Sequence, residues 1–150
     1  YTRMDSLVKR IDLSPEAGYD DFHRTSKVFH DIPIRRMSNF TKRMMQGIDY
    51  GTVAQSRLDN YNVLCKHLGG RQLNYGEVPM IFPFESEQGQ KLRTTLIANK
   101  VFVAKYWPNV DEWAGEDAFE TWMANQILPL PIDQRYGKED MERIIQILKI

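Results

Sequence analysis

The chain has 150 residues, 42% of them hydrophobic and 27% charged, a balance and length that predict one soluble globular domain, 1–150, with its own core. Lys and Arg together number 20, as do Asp and Glu, so the net charge is zero and exerts no general pull toward nucleic acid or an anionic membrane. The single cysteine, Cys65, excludes an internal disulfide and suits the cytoplasm, and no apolar run approaches the ~20 residues of a membrane span.

The elements follow in chain order. Ser14-Pro15-Glu16 predicts a helix start, with a capping hydroxyl, a proline at the first helical position and an acid behind it. Tyr19, Phe22, Ser26 and Phe29 continue at helical spacing as an apolar stripe, and Asp31-Ile32-Pro33 ends it. After an extended Ile34-Arg35-Arg36, Ser38 caps a short helix carrying Phe40, Met44 and Ile48. Asp49 starts a longer helix with Val53, Tyr61, Leu64, Cys65 and Leu68 inward, closed by Gly69-Gly70.

The second half alternates. Val78 to Phe84 predicts a short strand, kept at an edge or bent by Pro79 and Pro83. Gln88 to Asn99 is a helix with Leu92, Leu96 and Ile97 inward. Val101 to Tyr106 is the clearest strand, apolar on both faces until Lys105. Glu116 to Gln126 is a helix with Phe119, Trp122 and Met123 inward, its acids Glu116 and Asp117 complementing the helix dipole. Leu128 to Ile132 is extended, and Gly137 to Lys149 is a last helix with Met141, Ile144, Ile145 and Leu148 inward. Three helices followed by strand-helix three times predict an α+β fold, a small sheet of about three strands with helices packed on it.

Few residues carry a chemical signal. His23 and His30 sit seven apart on one helix, roughly 10 Å, too far to share a metal. His67 has no ligand partner at useful spacing, so no metal site is expected. Cys65, on an inward stripe, reads as filler. Arg35, Arg36, Lys42 and Arg43 form a basic cluster, but the neutral chain and the proline-framed turn argue for a solvated face over a nucleic-acid surface. Lys105, at a strand end beside Tyr106 and Trp107, lacks the neighbouring cation that activates an imine-forming lysine, so it reads as an amine reaching water.

Three stretches together carry a family resemblance: "IPIRRMSNFTKRMMQGIDYGTVAQSRLDNYNVLCKHLG", "KLRTTLIANKVFVAKYWPNV" and "LPLPIDQRYGKEDMERIIQIL". Over residues 30 to 150 the chain resembles the C-terminal small domain of the DegT/DnrJ/EryC1 family, fold-type I aminotransferases dependent on pyridoxal phosphate (PLP), many acting on nucleotide-linked keto sugars. The resemblance implies the small domain of that fold. It also implies what the chain lacks: the large domain with the PLP lysine, the acid for the pyridinium nitrogen and the phosphate cradle. No catalytic and no cofactor-binding residue is therefore expected here, and PLP is expected only in a complete enzyme. A chain opening at Tyr1 rather than Met fits a part of something longer. In the family the segment before Trp-Pro faces the cofactor cleft. Tyr106, at a position where members often place histidine, then becomes a substrate-facing candidate with Trp107 and Asn109, followed by Lys105 and Arg135. Arg135 is equally suited to an ion pair within the chain. The expected partners are the PLP-binding large domain and a second copy in a homodimer. The alternative is a non-catalytic binding or self-association module of the same fold, with Trp107, Trp113 and Trp122 as its apolar surface, although Trp122 is the one expected in the core.

Overall fold

The computed structural model describes residues 4–28 and 32–148. The chain divides into two compact units, Tyr1–Gly47 and Ile48–Ile150. Among the described residues the fold is α+β, with eight helices and a two-stranded antiparallel sheet. None of these helices is long and apolar enough to cross a membrane.

The first unit contains α1 (Met4–Asp12), α2 (Tyr19–Lys27) and α3 (Asn39–Gln46). Helix α1 was not expected, and the start expected at Ser14 falls in a turn between α1 and α2. There the Ser14 hydroxyl accepts from the Ala17 amide at 3.1 Å, so it caps a turn instead of a helix. Four helices thus precede the first strand, instead of three. Helix α1 packs on α2 at Gly18, where a Cβ would lie 2.4 Å from the Ser6 carbonyl oxygen. The expected apolar stripe of α2 is not its buried face. Tyr19 and Phe22 are exposed and flank His23, and the buried residue is Asp21, 7% exposed. Its carboxylate accepts from both Lys9 on α1 and Arg24 on α2. The hydrogen bond from Lys9 holds that carboxyl below its usual range. Charge selects this face because the pair of cations is what makes the buried acid tolerable. Phe29, His30 and Asp31 lie outside the described residues. Ser38 caps α3 as expected, accepting from the Thr41 amide at 3.1 Å, while Phe40, Met44 and Ile48 are exposed.

The second unit begins with α4 (Tyr50–Leu68), capped by Asp49 through the Thr52 amide at 3.1 Å and ended at Gly69 with φ +75°. Strand β1 (Ile81–Glu85) pairs with β2 (Ile127–Pro131) in the register Ile81↔Pro131, Phe82↔Leu130, Pro83↔Pro129, Phe84↔Leu128, Glu85↔Ile127. Phe82, Phe84, Leu128 and Leu130 point to one buried face. Tyr61 and Leu64 of α4 meet them there, with Met141, Ile144 and Leu148 of α8 (Lys138–Leu148) and Leu96 of α5 (Gly89–Ala98).

The expected third strand is absent from the sheet. Residues 101–106 form no strand, with Val101 and Val103 buried, but Phe102 is 54% exposed and the segment pairs with neither strand. One face of it packs, not two. Proline explains why. In an antiparallel pair, alternate residues point their amides at the partner and the rest point outward. Pro83, Pro129 and Pro131 fall in the same alternation class, and none has an N–H. Placed outward they cost the β1–β2 ladder nothing, and they remove three of the six outward amides, at least one on each edge, that a third strand could use.

A second correction concerns α7 (Phe119–Gln126), which follows the short α6 (Val110–Trp113). Its inward residues are Thr121 and Ala124. Phe119, Trp122 and Met123 are exposed, Phe119 by 67% and Trp122 by 38%. The cause lies on α5. A Cβ at Gly89 would lie 2.4 Å from the Asn125 carbonyl oxygen and 2.7 Å from Gln126 Cα. Helices this close accept only small side chains between them, and the aromatics turn outward. Ile97 of α5 is likewise exposed. Glu116 and Asp117 lie in the turn before α7 and not in its first turn.

Candidate functional site

The turn from Lys105 to Asn109 follows the segment whose last buried residue is Val103. Lys105 is half-buried, and its ammonium pairs with the Asp111 carboxylate on α6. The rings of Tyr106 and Trp107 meet edge-on, with centroids 5.7 Å apart. Trp107 is 71% exposed and has φ +50°, a left-handed conformation that is rare for a bulky residue. Holding it there costs on the order of 1–3 kcal/mol. The Trp107 carbonyl accepts from the Val110 amide at 3.0 Å, and the Asn109 carbonyl accepts from Glu112 and Trp113 at 3.0 and 3.1 Å. The first turn of α6 thus fixes the strained backbone and presents the indole to solvent.

Arg135 lies in a separate turn between β2 and α8. Its Nε donates to Asp133 Oδ1 at 2.7 Å and a terminal nitrogen to Oδ2 at 2.9 Å. This fork raises the guanidinium's affinity for its proton and holds the Asp133 carboxyl below its usual range. The guanidinium also lies 5.6 Å from the Tyr136 ring centroid. Of the two roles the sequence allowed for Arg135, the ion pair is the one observed. The turn is tied to α4 by Asn60, which is buried and whose amide nitrogen lies 3.2, 3.3 and 3.0 Å from the carbonyl oxygens of Ile132, Asp133 and Tyr136. Asn60 was missed in the sequence because its partners lie 72, 73 and 76 residues away.

The Lys105–Asn109 turn does not fit PLP. Its one amine, Lys105, is already engaged by a carboxylate, whereas an imine-forming lysine must be desolvated or set beside another cation. The turn offers aromatic faces, a carboxamide at Asn109 and a phenol at Tyr106, which suit contact with a ligand held by something else.

A cleft of about 480 Å³ lies elsewhere in this unit, between the start of α5 and α7, with Trp122, Asn125 and Gln126 among its lining residues. The basic cluster of the first unit borders a recess of about 510 Å³ along α3, where Lys42 and Arg43 stand beside Phe40. No group of three metal-ligating side chains occurs among the described residues. Compared with protein-family models, curated proteins and solved structures, the chain matches none.

Proposed function

We propose that this chain is the small-domain part of a cytoplasmic PLP-dependent aminotransferase of the DegT type, acting on a nucleotide-linked keto sugar and inactive alone. The observation that carries the reading is the ordered resemblance of three stretches, which fall on α3–α4, on α5 with the Trp107 turn, and on β2–α8. The strained, exposed indole at Trp107 supports it, since backbone strain of this kind clusters where a ligand is met. A large domain in the same longer chain supplies the lysine and the cofactor, and the complete enzyme works as a homodimer. Tyr106, Trp107 and Asn109 face the substrate with Lys105 next to them in the chain, while Arg135 is engaged by Asp133 in its separate turn.

Two measurements test this. The chain mixed with PLP shows no internal-aldimine absorbance, and borohydride traps no cofactor on it; a stoichiometric trapped adduct on one lysine defeats the reading. The coding DNA upstream carries an in-frame PLP-binding domain. A start codon near Tyr1 instead favours the second reading, a self-associating module, which the exposed Trp107, Trp113 and stacked Phe119–Trp122 pair also suit.

A further inference from the structure

The cleft between α5 and α7 has no role in that reading, and its chemistry is distinctive. Trp122 forms an apolar wall, and Phe119, stacked on the indole with centroids 5.6 Å apart and planes 13° from parallel, stiffens it. Carboxamides of the same helix line the cleft beside it. Gln126 is pinned, its Oε1 accepting from the Gly89 amide at 3.0 Å, which leaves its NH₂ as a donor. Asn125 Oδ1 is buried with no hydrogen-bond partner, an acceptor that any donor reaching it would satisfy. Gln90 stands exposed at the mouth. The charged side chains are Glu87, Glu116 and Lys91, a net of one negative charge.

We propose that this cleft binds a neutral saccharide, independently of the aminotransferase reading. A sugar ring has an apolar C–H face, which lies against the electron-rich face of an indole, and a rim of hydroxyls that both donate and accept. Carboxamides answer hydroxyls in kind, with a donor and an acceptor on one plane. Rotation of the Asn125 amide turns its unpaired oxygen to a ligand hydroxyl. The two acids disfavour a phosphate or diphosphate, and an apolar ligand would leave Asn125 unsatisfied. The volume of about 480 Å³ is within the range of small-molecule sites.

The test titrates the isotopically labelled 150-residue chain with maltose, cellobiose and diacetylchitobiose, and separately with inorganic pyrophosphate, while the side-chain N–H resonances of Trp122, Asn125 and Gln90 are followed. At least one saccharide shifts all three resonances in a saturable way at concentrations around or above about 1 mM. Trp122→Ala weakens that binding about tenfold. Gln90→Ala, at an exposed position that does not disturb the fold, weakens it by a smaller factor. The proposal is overturned if no saccharide shifts these resonances, if the shifts centre on Trp107 or Trp113, or if pyrophosphate binds in their place.

Discussion

The two units are held together by different physics. Among the described residues of Ile48–Ile150, thirteen buried apolar residues form one cluster around the β1–β2 sheet. In Tyr1–Gly47 the buried side chains among the described residues are Ser6 and Asp21, and Leu7, Val8, Ile11, Tyr19 and Phe22 are exposed. Apolar burial is insensitive to pH and improves with every methylene excluded from water. A carboxylate clasped by two cations depends on charge. The second unit should therefore behave as an ordinary cooperative domain, and the first should be stable only while Asp21 is ionised.

The largest effect expected comes from cutting into the apolar cluster. Phe82 is fully buried, meets Tyr61 at 5.1 Å between ring centroids and belongs to the strand that organises the sheet. Phe82→Ala should cost about 3–5 kcal/mol, read as a lower urea midpoint for the tryptophan signal of the second unit. Amide exchange in α1 and α2 should be unchanged. Coupled loss of α1 and α2 would show that the two units share one cooperative transition.

Next comes Asn60, the polar exception in the apolar unit. Asn60→Leu keeps the volume and removes the donor to the turn that holds Asp133 and Arg135. Buried carbonyls left unpaired should cost about 1–3 kcal/mol. The substitution should also broaden the Arg135 side-chain resonance, because the turn loses its tie to α4. An unbroadened resonance would mean that the Asp133 fork alone fixes Arg135.

The charge-held unit is broken by acid. Asp21 is held below its usual range by the hydrogen bond from Lys9, so the folded state binds its proton less readily than the unfolded state. Its contribution is complete above the unfolded carboxyl value of about 4 and is lost as pH falls through the lower folded value. Amide protection in α1 and α2 should therefore disappear at acid pH while that of Phe82 and Leu130 persists. Asp21→Asn should remove the protection at neutral pH. Retention of both helices in that variant would show that the close approach at Gly18, not the charge, joins them.

The parts of this structure that were legible in the sequence are those decided locally. Ser38 and Asp49 cap their helices through amides three residues on, and Gly69 accepts the positive φ at a helix end. β1 and β2 were readable as short extended segments, at Val78–Phe84 and Leu128–Ile132 against the observed Ile81–Glu85 and Ile127–Pro131. What escaped depends on distant partners. The third strand fails because Pro83, Pro129 and Pro131 share an alternation class, which only the pairing register makes visible. The outward turn of Phe119 and Trp122 follows from the approach of Gly89 to residues 125–126, some thirty-six positions on. At the site, the aromatic turn at Tyr106–Asn109 could be located from its residue types, whereas the positive φ of Trp107 and the cleft beside Trp122 required the fold.

Lys105 gives the smallest effect and the finest test of the contrast between charge and burial. Like Asp21 it forms an ion pair across two elements, here with Asp111, but this pair is half open to water. Solvent screens it, so Lys105→Ala should change stability by no more than about 0.5 kcal/mol, and the change should vanish in high salt. Trp107 should keep its left-handed backbone, because the hydrogen bond from Val110 and not the ion pair closes that turn. Measurement of the Trp107 amide coupling constant and of the urea midpoint, each with and without salt, checks both statements. A loss well beyond this limit would mean that the Lys105–Asp111 pair holds α6 against the segment that precedes it, making charge structural in the second unit as well as in the first.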